Sequence, residues 1–231
     1  MPGLIFFYFR LKIYDIKKNY QPTKKHLIYN LASYFYNLIR KNAYGTHKII
    51  VKKVLKNLSK EIKHLTIVEV GSGESSSPIF AKFAKNKNHF FYSFETNKKY
   101  FLEIIKKIKI ENTKKYCINF KFLENYNLVK EFKNNIDLLF IDSAPWESRV
   151  EMLSHFKDKA KIIIIHDCDY FPNNKIFGKL VRPVKNAKDT GYRNYNDVFS
   201  SWYEYFPKRF HCASGPPTLI GSNILDVNKY I

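Results

Sequence analysis

Thr66-Ile67-Val68-Glu69-Val70-Gly71-Ser72-Gly73-Glu74-Ser75 decides how the rest of the chain is read. A β-branched run ends in a glycine-rich turn, and an amphipathic stretch (residues 75–85) follows. That is the sequence form of a strand entering a tight turn and then a helix. The same alternation continues downstream: 89–95 then 97–109, 116–122 then 127–133, 137–142 then 146–156, and finally 161–166. Five strands joined by helix-length connections imply an α/β, doubly wound parallel sheet with helices on both faces. Ile162–Ile165 is an unbroken aliphatic run, as a central strand covered on both sides should be. Near the end, residues 209–214 and 218–223 are strand-like and flank Gly215-Pro216-Pro217, which reads as a closing antiparallel hairpin.

Upstream the texture differs. From Lys24 to Lys63 apolar residues recur at helical spacing, broken by Asn42-Ala43-Tyr44-Gly45-Thr46. Two helices are expected there, the second capped by Thr46. Residues 1–63 thus read as a helical extension packing on the core, and 64–231 as the main domain. The start, Leu4 to Phe9, is apolar for six residues and then meets Arg10 and Lys12, the reverse of a signal peptide's order. No apolar run approaches the roughly 20 residues of a membrane-spanning helix. Cys117, Cys168 and Cys212 show no C-x-x-C spacing, so a reducing, cytoplasmic setting is expected.

The formal charge is +20 over 231 residues, from 40 basic and 20 acidic side chains. Only six of the basic residues are arginine, and arginine is the residue that grips phosphate and guanine bidentately. The excess is concentrated: residues 1–64 hold 14 Lys/Arg against Asp15 and Glu61. A solvated, compositionally biased surface is the favoured reading, and a role toward an anionic substrate, lipid or RNA the other.

In a doubly wound sheet, ligands sit outside the carboxyl ends of the strands. Four strand ends carry polar groups here. Glu69 and Gly71-Ser72-Gly73-Glu74-Ser75 close the first. Glu95 closes the second, 22 residues after Gly73, where an acidic group would accept from ribose hydroxyls. Together they point to an adenosine-type ligand. A pyrophosphate would be repelled by Glu74 beside the helix start, whereas the cationic S-adenosylmethionine tolerates acidic neighbours such as Glu69. The methyl donor is therefore the expected cofactor, bound by Glu69, Gly71, Ser72, Gly73, Ser75 and Glu95.

Val68-Glu69-Val70-Gly71-Ser72-Gly73, with an acidic residue ending the second strand, resembles the first two motifs of class I S-adenosylmethionine-dependent methyltransferases. More narrowly, residues 44–231 resemble an uncharacterised bacterial and viral group of such proteins. The likeness runs through Gly45-Thr46-His47, Gly71-Ser72-Gly73-Glu74-Ser75-Ser76-Ser77-Pro78, and Phe140-Ile141-Asp142-Ser143-Ala144-Pro145-Trp146-Glu147-Ser148-Arg149. It continues in Lys157-Asp158-Lys159-Ala160, His166-Asp167, Gly191-Tyr192 and Pro217-Thr218-Leu219-Ile220-Gly221-Ser222-Asn223. Ser75 stands where the family commonly has a third glycine. The resemblance implies a mostly parallel, seven-stranded Rossmann-like sheet. It also implies that the fourth strand's end meets the transferred methyl group, which gives Asp142 a role in substrate positioning or cofactor contact.

Asp142 and His166-Asp167 end the remaining two strands and are the expected catalytic residues, with His47 and Arg149 on the rim toward substrate. A hydroxyl acceptor must lose its proton as the bond forms, and His166 or Asp167 would take it. A Mg²⁺ held by Asp142, Asp167 and Asp169 is the less favoured alternative. The expected function is O-methylation of a small-molecule or glycan-type hydroxyl. RNA methylation and a non-catalytic nucleotide-binding module are the competing readings; the missing Asn/Asp-Pro-Pro-Phe/Tyr run speaks against base-amine methylation.

Overall fold

Ile162 and Ile164 face one hydrophobic core, Ile163 and Ile165 the other, so the aliphatic run of the fifth strand is apolar because both its faces are covered. The structure is a computed structural model that describes residues 47–87, 89–108, 117–168, 195–196, 198–205 and 218–231. Within them run α1 (Lys48–Glu61), β1 (Thr66–Val70), α2 (Ser77–Lys87), β2 (Phe90–Glu95), α3 (Lys98–Ile108) and β3 (Ile118–Phe122). A 3₁₀ turn (Tyr126–Glu131), β4 (Ile136–Ile141), α4 (Trp146–Phe156), β5 (Ala160–His166), β6 (Ser201–Tyr205) and β7 (Thr218–Ser222) follow.

The sheet order is β3-β2-β1-β4-β5-β7-β6, with β1 to β5 parallel and β7 antiparallel to both β5 and β6. From β1 the chain winds outward through β2 and β3, then returns to the other side of β1 as β4. Strand order reverses between β1 and β4, so the loops after these two strands part there and leave a crevice. The registers continue past the strand ends: Gly71 N–H donates to Phe94 O and Asp142 N–H to Val70 O, both at 2.9 Å.

On one face α1 buries Ile50, Val51, Val54, Leu55 and Leu58 beside Phe80, Ala81 and Ala84 of α2. Each of the Ile, Val, Leu and Phe side chains contributes roughly 1.5–3 kcal/mol relative to exposure. On the other face Met152, Leu153 and Phe156 of α4 pack with Tyr126, Val129, Tyr195 and Phe199.

Several sequence expectations shift. The helix expected at 127–133 is a 3₁₀ turn, started by the Asn125 side chain accepting from Asn127 N–H. Helix α1 starts one residue later than a Thr46 cap implies, with His47 at the cap position and making no capping bond. The antiparallel C-terminal pair exists, but β7's partner is Ser201–Tyr205; the strand expected at 209–214 lies outside the described residues, as do residues 1–46. The closing motif Leu219-Ile220-Gly221-Ser222-Asn223 is structural. Ser222 Oγ donates to Lys161 O (2.5 Å), Asn223 Nδ2 to Val198 O (2.9 Å), and the Phe199 ring lies where a Gly221 side chain would be. Among the described residues no helix is long and apolar enough to cross a membrane.

Candidate functional site

Gly71 ends β1 with φ +88°, and a Cβ built there would lie 2.6 Å from the Asp142 carbonyl and Ser143 N. Only glycine fits this turn, and the group demanding its bareness is the chain's own backbone after β4. Gly73 differs. Its φ is ordinary, and the nearest obstacle to a Cβ is the movable Ser76 hydroxyl at 2.6 Å, the next atom being 3.8 Å away. No backbone claims that space, which suits the close approach of a ligand.

Glu69 was expected to face the cofactor. It is instead fully buried beneath the loop, where its Oε2 accepts from Ser77 Oγ (2.6 Å) and Ser93 Oγ (2.5 Å). Ser93 Oγ also bonds Ser72 Oγ at 2.8 Å, and Gly73 N–H donates to Ser77 Oγ at 2.9 Å. Glu69 therefore holds the glycine turn from below. Burial pushes its carboxyl up to about 7, against the opposing hydroxyls of Ser76, Ser77 and Ser93. A carboxyl raised on folding stabilises fully below its unfolded value and loses that contribution as pH climbs through 7, a swing of about 3 kcal/mol at most. Glu69→Gln should flatten the pH dependence of stability between pH 4.5 and about 7; an unaltered slope in denaturant titrations would show that Glu69 is not its source.

Ser72 is buried and Ser75 half-buried in the same turn. Glu74 does not stand unscreened beside the helix start, because Lys107 pairs with it. That weakens the argument from repulsion and leaves the choice of ligand to the other groups.

Glu95 ends β2 with only 6% exposure. Its Oε1 accepts from Thr96 N–H and Asn97 N–H at 2.8 Å and from Tyr126 OH at 3.3 Å. One oxygen thus anchors the start of α3, and Oε2 takes no part in those three bonds.

Beyond β4 and β5 lies a cluster of ionisable side chains. Asp142 Oδ1 accepts from Arg149 Nη2 (2.8 Å) and lies 3.3 Å from His166 Nδ1; Asp167 Oδ1 is 3.4 Å from the same nitrogen. Burial alone would raise the Asp142 carboxyl, but His166, Arg149 and His47 outweigh it and hold it below the ordinary value. Burial would lower His166; Asp142 and Asp167 overcome that and hold it above its ordinary value. Asp167 adopts φ +55°, a strained conformation for a residue with a side chain.

The two residues expected on the rim are not there. His47 is 2% exposed, its ring centroid 4.4 Å from that of His166 and 5.1 Å from that of Phe140. Burial, with the His166 charge, lowers it to about 3, so it is neutral at any working pH. Arg149 is 4% exposed and turned inward, because its place in the first turn of α4 faces the sheet. Asp142, His166 and Asp167 bring one potential ligand atom each within 4.8 Å. Asp169 lies outside the described residues. Asp142 Oδ1 is already shared between a guanidinium and an imidazole, which is a poor donor set for Mg²⁺.

No protein-family model and no curated protein sequence matches this chain. Solved structures do resemble it. The WbdD crystal structure matches with a TM-score of 0.50 at 12% identity, over 75% of this chain and 39% of that one. This chain thus spans about two-fifths of WbdD, which is described as a bifunctional kinase-methyltransferase. PaMTH1 of Podospora anserina, a methyltransferase solved with S-adenosylhomocysteine, gives 0.45 at 11% identity, over 88% and 98% of the two chains. TrmK of M. capricolum, also holding S-adenosylhomocysteine, gives 0.39 at 17%, over 72% and 65%. The WbdD likeness is one of fold and agrees with the sheet order: a Rossmann-like α/β fold, mostly parallel, with antiparallel C-terminal strands.

Proposed function

We propose that this chain is an S-adenosylmethionine-dependent methyltransferase that transfers a methyl group to a hydroxyl of a small-molecule or glycan-type acceptor. The observation that carries the reading is the Asp142–His166 pair, set at the switch point where a side chain on Gly71 would strike the Asp142 carbonyl. Gly73 and Glu95 would hold the adenosine end of the cofactor, with Ser72 and Ser75 completing the turn. The cofactor, when bound, supplies an electrophilic methyl on a sulfonium. The protein's own part is to orient the acceptor and take its proton. Ionised Asp142 can only accept, so Nδ1 of His166 carries the proton and Nε2 is the basic nitrogen. Arg149 already balances part of the carboxylate charge, so the acid–base reading is preferred to one through Mg²⁺.

Calorimetry with S-adenosylhomocysteine is the direct test. Micromolar-range binding is expected, weakened by about 1–3 kcal/mol in Glu95→Ala. Equal affinity in wild type and Glu95→Ala would remove the cofactor from the end of β2. Release of labelled methyl to an acceptor then separates an enzyme from a nucleotide-binding module, and loss of activity on chelation would restore the metal reading.

One feature favours the RNA alternative enough to keep it. Lys48, Lys52, Lys56 and Lys60 fall every fourth residue along α1, about 6 Å apart, with Lys53 beside them. The only acid on this helix is Glu61, which accepts from Tyr230 OH at 2.7 Å. If this row binds a single strand, affinity for labelled oligouridine should fall with salt with a log–log slope of about −3. The double variant Lys52→Glu/Lys56→Glu should then abolish binding. Absence of binding by the native protein at low salt would dispose of this reading.

A further inference from the structure

Arg149 reaches three acceptors that belong to two different strands. Its Nε donates to Ser143 O (2.7 Å), Nη2 to Asp142 Oδ1 (2.8 Å) and Nη1 to His166 O (2.5 Å). Ser143 and Asp142 follow β4, and His166 ends β5. These are the points where the parallel ladder between the two strands stops, its last pair being Ile141 with Ile165. Beyond it no β4–β5 ladder bond fixes the separation of the two ends, and the buried carbonyls there need donors from elsewhere. One buried guanidinium supplies them. The His47 ring packs edge-on against His166 at 77° and is itself set against Phe140 of β4. His166 is therefore held by a fork that fixes its backbone carbonyl and its carboxylate partner, and its ring packs against a neutral one.

We infer that Arg149 is the positioning residue of this site: its guanidinium, rather than the β4–β5 ladder, sets the distance and orientation between Asp142 and His166, with His47 as the backstop for the ring. The inference rests on the proposed acid–base role only for its consequence in catalysis; the clamp itself stands on the three hydrogen bonds. Charge alone does not explain the residue. A lysine would keep the cation beside Asp142, but an ammonium is a point donor and cannot span a side chain and two carbonyls in one plane. Nor is the contact a surface ion pair of the weak kind, because the Arg149 side chain is 5% exposed and donates to backbone as well as carboxylate.

The test compares Arg149→Lys with the native protein by ¹⁵N NMR of the histidine rings. Native His166 should titrate above the ordinary histidine value and, when neutral, stay in the form protonated on Nδ1. In Arg149→Lys the cation remains, yet as Asp142 drifts Nδ1 loses the nearer of its two carboxylates, so the tautomer ratio should shift toward the Nε2 form and the ring should titrate lower, with Asp167 at 3.4 Å retaining part of the preference. A purely structural residue would lower thermal stability and leave the tautomer unchanged. Arg149→Lys that folds, binds S-adenosylhomocysteine as the native protein does and keeps both the native tautomer ratio and the native titration of His166 overturns the inference. Should that variant not fold, the native Arg149 Nε–H resonance decides. It should be protected from solvent exchange and should shift with the His166 titration, and a signal indifferent to that titration overturns the inference too. Failure of native protein to bind S-adenosylhomocysteine would sink the methyltransferase reading while leaving the tautomer result to stand or fall separately.

Discussion

Gly71→Ala should unfold the site from its centre. Two penalties act at once. The left-handed region costs a residue with a side chain about 1–2 kcal/mol. The added carbon would also sit 2.6 Å from three backbone atoms of Asp142 and Ser143, which cannot rotate away as a side chain can. Overpacking of this kind typically costs a further 1–3 kcal/mol. The total, about 3 kcal/mol or more, corresponds to a fall in melting temperature of roughly 6–12 °C for a chain of this size. Relief could come only by parting β1 from the loop after β4, which would also pull Asp142 away from His166. Cofactor affinity should fall with stability. Gly73→Ala is the control: displacing one hydroxyl should change stability by under about 1 kcal/mol, while a bound ligand would meet the new methyl directly. The assignment fails if Gly71→Ala melts within a degree of the native protein, or if Gly73→Ala binds S-adenosylhomocysteine unchanged.

This contrast also shows what a glycine-rich turn can say in advance. Gly71-Ser72-Gly73 announces a tight turn and a close approach, but the letters do not say what approaches. At Gly71 it is the chain itself, 71 residues downstream. The five parallel strands were legible to within two residues, the central ones because both faces are covered and burial writes them as apolar runs, whereas the half-exposed β6 was not foreseen. The same coverage made Glu69 illegible. In a strand with no solvent face, alternation gives no outward side, and only the serines of β2 and α2 show that Glu69 turns inward.

Arg149 and His47 were misplaced for a related reason. Helical periodicity places Arg149 near the start of α4, but which way it faces depends on the ends of β4 and β5, and its Nη1 acceptor lies 17 residues away. A buried arginine is rare enough that surface exposure is the natural expectation until its acceptors are seen. His47 carried no local signal either. It lies under the cleft because α1 packs on the same sheet face as Phe140, a contact between residues 93 positions apart in sequence. Glu95 was read correctly as the acid ending β2, and the structure adds that one oxygen caps the following helix. Those bonds fix the carboxylate in place through Oε1.

His166→Ala is expected to have the largest effect on turnover of any single change. If Nε2 takes the acceptor's proton, removing the ring should lower the rate by about 10²–10⁴-fold while leaving affinity for S-adenosylhomocysteine intact, since under that proposal the imidazole would meet the acceptor rather than the adenosine. The pH profile carries more information than the magnitude. Asp142 and Asp167 hold His166 above its ordinary value, so the rate should climb through a limb lying above pH 6.5 as the ring loses its proton. Asp142, held below the ordinary carboxylate range, stays ionised across that limb. Stability runs the other way. A histidine raised on folding adds its full contribution below pH 6.5 and loses it as pH rises through the folded value, so the protein should be most active where this ion pair stabilises it least. Asp142→Asn separates orientation from charge. An asparagine amide can donate to Nδ1, which leaves Nε2 protonated in the neutral ring and so unable to act as base. It should reproduce most of the His166→Ala loss with the imidazole still present. Activity of Asp142→Asn within tenfold of native, or an acid limb below pH 6 in the native enzyme, would remove His166 from the role of base and leave orientation of the acceptor as the cluster's only part in the reaction.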